Sequence, residues 1–295
     1  MIELSETSIA NNKGGLLLEK NVSELFKSLD EEFPLSSREI EPKEILGEHS
    51  DKNKFYSYYL SRMSHEIRLL LNHIVTAQMF MRMRPDDRER VLECLDITDR
   101  QCRYIRNILH QSVYINHLET GKIVWEDAPI VLREIIELAL EQIFKDSGER
   151  KRNIHIKMEN VTHDTVYYDF RRLYRIFEQL LDNSVKFTQD GGEIIITIRE
   201  VSCQNRVAAY EFVISDDGMG IEAEFMEQLF TPFYRAERVA HARIPGAGLG
   251  MTIVHIILEI LGGDITVESE PDKGTVYTVK LNIPVYEPDE RGNET

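Results

Sequence analysis

The stretch "MSHEIRLLLNHI" (residues 63–74) places a histidine and a glutamate side by side in a segment with helical periodicity. His65 lies two positions from both Met63 and Ile67, and residues two apart on a helix point about 200° apart. We therefore expect His65 to face away from the apolar side of this helix. Glu66 can accept the ring proton and leave a nitrogen lone pair free as a nucleophile. On this stretch alone, an ordinary surface histidine is the alternative interpretation.

Two glycine-bearing motifs further along the chain have the composition of a nucleotide site. "DDGMGI" (216–221) follows a hydrophobic strand candidate, so Asp216 lies where a buried carboxylate can accept a hydrogen bond from an adenine amino group. The spaced glycines of this motif let the backbone approach a base closely. "PGAGLGM" (245–251) runs into a helix, whose N-terminus and backbone amides suit phosphates. Each motif alone is more often an ordinary turn or loop.

A third motif, "LLDNSVKF" (180–187), sets Asn183 and Lys186 three positions apart on one helical face. An amide oxygen can bind Mg²⁺, and an ammonium group can contact a phosphate. A solvated helix surface is the ordinary alternative for this motif alone. The order and spacing of the three motifs together favour phosphate chemistry.

Two long helices must position His65. In the first, apolar or small side chains recur with helical spacing, and "RPDD" (84–87) ends it, with Pro85 suited to opening the next helix. The second shows the alternating spacing of a coiled-coil seam and ends at "ETGK" (119–122), with Gly121 as its C-cap. A single hairpin buries little apolar surface, so we expect two copies to form a four-helix dimer. The predicted stripes are Phe55, Tyr59, Met63, Ile67, Leu70, Ile74, Ala77 and Met81, and then Val91, Leu95, Thr98, Cys102, Ile105, Leu109, Ser112 and Asn116.

The rest of the chain alternates strand and helix patterns, which predicts an α+β two-layer sandwich with one mixed sheet and helices on one face. The expected strands are 153–158, 165–168, 193–198 and 208–215 plus a closing hairpin, and the expected helices are 170–187 and 248–261. The predicted domains are a polar leader (1–52), the helical hairpin (53–122), a nucleotide-binding domain (123–286) and a flexible tail (287–295).

The chain has 295 residues and a net charge of −16. Such a charge repels phosphate backbones and anionic lipid surfaces, which argues against a general nucleic-acid binder. No apolar run approaches the roughly 18 residues that a membrane span needs, and no signal peptide is recognisable. The three cysteines form no CxxC pair, which argues against a disulfide framework or a zinc site and fits a reducing compartment. We therefore expect a cytoplasmic protein.

Residues 53–286 resemble the transmitter region of a two-component sensor histidine kinase. "SHEIR" is similar to the phosphoacceptor box of that family, "DNSVKFT" to its asparagine box and "DDGMGI" to its first glycine box. "LFTPFYR" resembles the phenylalanine box and "GAGLGM" the second glycine box, and all five occur in family order. The resemblance covers about four-fifths of the chain. It implies a gyrase-type ATPase fold that binds ATP in a bent conformation under a mobile lid.

The resemblance also implies the reaction. His65 would be phosphorylated from Mg²⁺-ATP with Glu66 as the neighbouring base, and the phosphoryl group would pass to an aspartate of a response regulator. Arg235 would face the γ-phosphate and help to stabilise the transferring group. Residues 236–245 would form the lid, with Phe230 and Phe233 packing its base.

The nucleotide-binding roles follow in the same way from the resemblance. Asn183 would hold Mg²⁺, Lys186 would contact phosphate, and Asp216 would read adenine. The glycines would shape the two ends of the site, with Gly218 and Gly220 near adenine and Gly246, Gly248 and Gly250 around the phosphates.

The sequence departs from the family pattern one turn after the histidine. Leu69 and Leu70 stand where Thr or Asn followed by Pro is usual. Leucine cannot orient the water that hydrolyses a partner's aspartyl phosphate, so we expect weak or absent phosphatase activity. Without proline, the first helix should also be less kinked. Gln179 replaces a common Asn one turn before Asn183, where related ATP-hydrolysing enzymes have a glutamate, and this favours transfer over hydrolysis.

Two other functions remain open at this point. The leucines after His65 are compatible with a degenerate kinase that binds ATP and dimerises as a scaffold or switch without phosphotransfer. A phosphotransfer protein that receives phosphate from another kinase is a third interpretation, although intact nucleotide boxes argue against it. The sequence does not identify the signal, the regulator or whether phosphorylation runs in cis or in trans.

Overall fold

A computed structural model describes residues 52–122, 124–147, 152–235 and 246–286, and among these the side chains of 52–54 and 146–147 are not described. The chain divides into two compact units between Gln111 and Ser112. Most of the predicted leader, the whole predicted lid and the predicted tail lie outside the described residues, and the domain boundaries remain predictions. Among the described helices, none combines the length and apolar character that crossing a membrane requires.

Two 32-residue helices form the predicted hairpin: α1 is Lys52–Met83 and α2 is Arg88–Glu119. The turn between them is closed by the Arg84 N–H donating to the Phe80 carbonyl at 3.1 Å. The Asp87 carboxylate accepts from the Arg90 N–H at 3.2 Å, in the manner of an N-cap. Pro85 therefore lies in the turn, and the prediction that it opens the second helix was wrong.

The predicted apolar stripe of α1 is confirmed, because all eight of its residues are buried or half-buried. The stripe predicted for α2 is only half right. Val91, Thr98, Ile105 and Ser112 are half-buried, while Leu95, Cys102, Leu109 and Asn116 are exposed. The least exposed side of α2 lies about 80–100° round the helix from the predicted stripe. It is marked by Cys94, Gln101, Ile108 and Ile115.

The second unit contains a five-stranded mixed sheet and a separate two-stranded sheet. In the larger sheet the order is β2-β4-β5-β7-β6, with β2 and β4 parallel and all other neighbours antiparallel. The elements are β1 Asp127–Val131, α3 Leu132–Ser147, β2 Asn153–Glu159, β3 Thr165–Asp169, α4 Phe170–Phe187, β4 Glu193–Gln204, β5 Val207–Asp216, α5 Ala223–Met226, α6 Gly250–Leu261, β6 Asp264–Glu270 and β7 Gly274–Pro284.

The core of this unit lies between the sheet and α4. Every second residue of β5 is buried, which is the alternation of a strand with one face against a core. The ring of Phe177 on α4 meets that of Phe212 on β5 with centroids 5.0 Å apart. The predicted two-layer α+β sandwich is confirmed. The strand predicted at 165–168 does not join the main sheet, however, because it pairs antiparallel with β1.

Arg172 anchors the beginning of α4. Its guanidinium carbon lies 4.4 Å from the ring centroid of Trp125 and 5.5 Å from that of Tyr168. The Asp169 carboxylate caps the same end by accepting from the N–H groups of Arg171 and Arg172. The rotation of α4 about its axis is thereby fixed from its first turn, which matters because the last two turns of α4 carry candidate site residues.

Candidate nucleotide-binding site

Asp216 ends β5 and is buried, with 6% of its surface exposed. The Ser184 hydroxyl on α4 donates to Asp216 Oδ2 at 2.8 Å, and the Gly218 N–H donates to Oδ1 at 3.1 Å. Burial raises the pKa of Asp216, while these hydrogen bonds and one from the Thr275 backbone oppose the rise. A carboxylate offers about four acceptor positions, so three donors leave one for a ligand N–H.

The loop after β5 lies against the protein's own backbone. The Met219 N–H donates to the Phe187 carbonyl at 3.1 Å, and the Asp272 N–H donates to the Met219 carbonyl at 2.9 Å. Gly220 has a φ of +64°, and a Cβ there would stand 1.9 Å from the Glu270 carbonyl oxygen. A glycine is therefore required at this position by the turn and by packing, and this position helps to keep Asp216 at the edge of the site.

Asn183 and Lys186 lie on the last two turns of α4, on either side of Ser184 in sequence. Asn183 is half-buried. The Lys186 ammonium is ion-paired with the Asp182 carboxylate one turn earlier, and both side chains are about one-third exposed. Lys186 must share or leave that carboxylate to meet a phosphate. The amide oxygen of Asn183 and the carboxylate of Asp182 are both oxygen donors of the kind that Mg²⁺ accepts.

The second glycine motif runs into α6. The Gly248 carbonyl accepts from the Phe233 N–H at 2.9 Å, and Gly248 has a positive φ of +70°. A Cβ at Gly250 would stand 2.6 Å from Gln179 Oε1, so the buried Gln179 side chain lies directly against the start of α6. By contrast, a Cβ at Gly246 would meet no described atom within 4 Å. The unusual Gln179 thus packs α4 against the glycine motif.

The phenylalanine motif lies against α6, and its predicted packing against the lid concerns residues outside those that the structure describes. Phe233 is buried with a φ of +60°, and the ring of Phe230 lies 5.1 Å from that of His255 on α6. The Thr252 hydroxyl donates to the Phe230 carbonyl at 2.9 Å. Arg235 is half-buried and is the last described residue before the predicted lid. Asp216, Asn183 and the glycine motifs belong to one compact unit of the chain.

His65 and Glu66 lie on α1, in the helical unit. His65 is exposed and Glu66 is half-buried, as expected for a histidine that faces away from the apolar stripe. One turn further along α1, Leu69 is 43% exposed while Leu70 is buried. Leu69, one turn after His65 on the same side of α1, therefore exposes an apolar side chain where the family pattern has a polar one.

Sequence reasoning missed Ser184, the residue that orients the buried aspartate. Ser184 itself is fully buried. A signal was available, because Ser184 lies four positions after Leu180 and three after Leu181, on the buried face of α4. A hydroxyl on such a face requires a partner, and the nearest candidate is a carboxylate at a strand end.

Comparisons with known proteins agree with this geometry. Residues 168–285 match the family described as histidine kinase-, DNA gyrase B-, and HSP90-like ATPase. The signal transduction histidine-protein kinase BarA of Escherichia coli (strain K12) is 27% identical over 230 residues, which is 77% of this chain and 24% of BarA. The autoinducer 2 sensor kinase/phosphatase LuxQ of Vibrio parahaemolyticus is 29% identical over 229 residues, which is 76% of this chain and 26% of LuxQ.

A solved structure of full-length ShkA in complex with AMPPNP matches with a TM-score of 0.54 at 19% identity, over 68% of this chain and 40% of that one. At such identity the likeness supports the fold alone. The chain spans about a quarter of the length of the two curated relatives that it matches.

Proposed function

We propose that the chain is a transmitter region of the sensor histidine kinase type, and that it transfers the γ-phosphoryl group of Mg²⁺-ATP to His65 and then to an aspartate of a response regulator. The observation that carries this proposal is the buried Asp216, held by three donors and left with one acceptor position for an adenine amino group. The match of residues 168–285 to the histidine kinase-, DNA gyrase B-, and HSP90-like ATPase family supports ATP as the ligand.

In the proposed reaction an imidazole nitrogen of His65 forms a bond to phosphorus as the bond to the β–γ bridging oxygen breaks. Glu66 accepts the proton from the other ring nitrogen, and Arg235 stabilises the charge of the transferring group. ATP supplies the phosphoryl group and leaves as ADP, and a Mg²⁺ ion held by Asn183 would neutralise charge on the phosphates. We expect the chain to work in the cytoplasm, where the free thiols Cys94, Cys102 and Cys203 stay reduced.

The remaining roles concern binding. Asn183 holds Mg²⁺, Lys186 contacts phosphate, and Asp216 accepts from adenine. The glycines keep side chains out of the site at both ends, with Gly218 and Gly220 beside Asp216 and Gly246, Gly248 and Gly250 around the phosphates.

A homodimer through the helical hairpin is part of this proposal. Leu95, Cys102 and Leu109 recur every seven residues along α2 and are all exposed, so they form an apolar row that a second copy can cover. Light scattering should give the mass of a dimer, and replacing Leu95 and Leu109 together with lysine should give a monomer. A wild-type monomer at micromolar concentration would contradict the dimer without bearing on ATP binding.

Incubation with γ-labelled ATP and Mg²⁺, beside His65→Gln and Asn183→Ala variants, tests the reaction. We expect label that is acid-labile and alkali-stable, absent from the His65→Gln variant and strongly reduced in the Asn183→Ala variant. Equal labelling of the His65→Gln variant would refute phosphorylation of that residue. No label at all, with ATP still bound, would instead favour an ATP-binding dimeric scaffold.

A further inference from the structure

The end of the sheet opposite Asp216 brings three potential metal ligands together. His163 lies in the loop between β2 and β3, and Glu200 and Cys203 lie near the end of β4. One potential ligand atom from each of the three lies within 4.8 Å of the other two. Tyr210, the β5 residue paired with Glu200, precedes Asp216 by six positions, so the cluster is about 20 Å from the adenine-reading carboxylate.

A β-bulge explains how Glu200 and Cys203 reach the same face of the sheet. In a regular strand, residues three apart point to opposite faces. The register shifts between Glu200, which pairs with Tyr210, and Ser202, which pairs with Ala209, so that Cys203 pairs with Ala208. Because Tyr210 and Ala208 share the buried face of β5, Glu200 and Cys203 share a face as well. Bulges often re-aim side chains next to functional sites.

Glu200 fixes both the loop and the imidazole ring. Glu200 Oε2 accepts from the N–H groups of Thr162 at 2.7 Å and His163 at 2.9 Å, and Oε1 lies 2.8 Å from His163 Nδ1. The Glu200 side chain is 7% exposed and that of His163 is 33% exposed. A carboxylate bonded to one nitrogen of a histidine is the usual way in which a metal-binding imidazole is oriented.

If Glu200 served only to anchor the loop, its bonds to the N–H groups of Thr162 and His163 would suffice. Neither the imidazole of His163 nor the thiol of Cys203 would then be needed. Within the described part of the chain, no hydrogen-bond partner is found for His163 Nε2, and the exposed Cys203 offers a thiol within 4.8 Å of a potential ligand atom of both His163 and Glu200. Ligands around a tetrahedral zinc ion lie roughly 3.3–3.8 Å apart, as follows from metal–ligand distances of about 2.0–2.3 Å. The three groups are therefore within about an ångström of metal-binding spacing.

We propose that His163, Glu200 and Cys203 form a binding site for a divalent transition-metal ion, for which zinc is the best chemical match. Imidazole and thiolate together select zinc-like ions over Mg²⁺, which prefers oxygen ligands. Glu200 contributes either as a direct ligand or by holding the second ring nitrogen. The three residues are separated by 37 and 3 positions in sequence. Such a site contains no CxxC pair, so the search for that pattern in the sequence could not find it.

Cobalt(II) titration of the untagged, chelator-treated chain tests the site, because a thiolate–cobalt bond gives a charge-transfer band in the near ultraviolet. We expect one saturable equivalent that zinc displaces and Mg²⁺ does not. The band should be lost in the Cys203→Ser variant and retained in Cys102→Ser, a matched exposed cysteine on α2. The His163→Gln and Glu200→Gln variants should bind at least about tenfold more weakly.

Thermal unfolding supplies a second readout. Zinc should raise the Tm of the wild-type chain and of Cys102→Ser, but not that of Cys203→Ser, because only a ligand bound to the folded state stabilises it. Each variant should still bind an ATP analogue, which shows that it is folded. No saturable binding by the wild-type chain, or a band that survives Cys203→Ser, would overturn the proposal. Either result would leave phosphorylation of His65 untouched.

Discussion

Asp216 and His65, the two groups at opposite ends of the proposed reaction, are prepared in contrasting ways. Asp216 is buried and receives three hydrogen bonds from three different segments of the chain. His65 is exposed on one long helix. The proposed nucleotide recognition therefore depends on the packing of the second unit, whereas the proposed reactivity of His65 must come from groups that are brought to it. Substitutions should affect the two regions through different quantities, namely folding and affinity in one and turnover in the other.

The largest effect should come from packing a side chain against the turn that supports Asp216. Gly220→Ala combines a φ of +64° with a Cβ only 1.9 Å from the Glu270 carbonyl oxygen. We expect it to lower the free energy of unfolding by about 2–5 kcal/mol. Urea denaturation measures this, with Gly246→Ala as the matched control in open space. Equal stability of the two variants would mean that the turn is not held as described.

Removing the charge of Asp216 should act next most strongly, on ATP affinity. In Asp216→Asn one carboxylate oxygen becomes an amide nitrogen, so Ser184, Gly218 and adenine compete for the remaining acceptor. We expect roughly 10- to 150-fold weaker ATP binding, equivalent to about 1.5–3 kcal/mol. Isothermal titration calorimetry with Asp217→Asn, the exposed neighbour, as control decides this. Similar losses in both variants would remove the special role of Asp216.

The pH dependence of stability is a smaller effect, and it should distinguish Asp216 from Asp169, a second buried aspartate. Burial alone would raise the pKa of Asp169, but hydrogen bonds from the Glu126 N–H and from Arg171 and Arg172 leave it lowered. A lowered pKa stabilises the fold above the pKa of the unfolded chain, and that contribution is lost as the pH falls. Asp169→Asn should therefore cost about 1–2 kcal/mol at neutral pH and less in acid.

The raised pKa of Asp216 predicts the opposite sign. The charged form of a buried carboxylate with a raised pKa is unfavourable, so its contribution to stability is lost as the pH rises through that value. The stability of Asp216→Asn relative to the wild-type chain should therefore increase as the pH rises from acid to neutral, whereas that of Asp169→Asn should decrease. Thermal unfolding of the wild-type chain, Asp169→Asn and Asp216→Asn in acid and at neutral pH measures both trends. The same sign of change for both would contradict the contrast between a binding and a structural carboxylate.

The smallest expected effect lies on the helix. Leu69→Thr should restore a polar side chain one turn after His65 and raise dephosphorylation of a phosphorylated regulator a few-fold, with autophosphorylation unchanged. Leu60→Thr is the matched control, because Leu60 and Leu69 are 40% and 43% exposed on the same helix. The measurement is loss of label from the regulator. Rapid dephosphorylation by the wild-type chain would contradict the predicted weakness of its phosphatase activity, a function that the name of LuxQ includes.

The sequence predicted best where one physical signal dominated. The bounds of α4 were predicted to the residue, because its apolar face is strongly one-sided and "QDGG" follows it directly. The position of Asp216 at the end of a strand and of the second glycine motif at the start of α6 was predicted from local patterns of the same kind. The motifs that carry the candidate site residues of the second unit occur in a fixed order along the sequence. Recognising that order needs no knowledge of which elements pack together.

Prediction failed where two faces compete or where strand signals are weak. On α2 both the row of Leu95 and Leu109 and the row of Ile108 and Ile115 are apolar, and only packing reveals which row is buried within one chain. β1 was missed because it is a five-residue, mostly exposed strand that contains Pro129. α3 was missed although its buried residues recur with helical spacing. Ser184 was missed because a partner across 32 residues is invisible to local periodicity.

The stacking of Arg172 over Trp125 has a practical consequence for observing the molecule. Trp125 is the only tryptophan among the 295 residues, so indole fluorescence arises from a single place in the second unit. The cation over its ring makes that emission sensitive to the first turn of α4. Helical ellipticity, in contrast, arises from helices of both units, and α1 and α2 supply just over half of the described helical residues. Comparing the two signals during denaturation would show whether the two units melt together or in succession, without any added label.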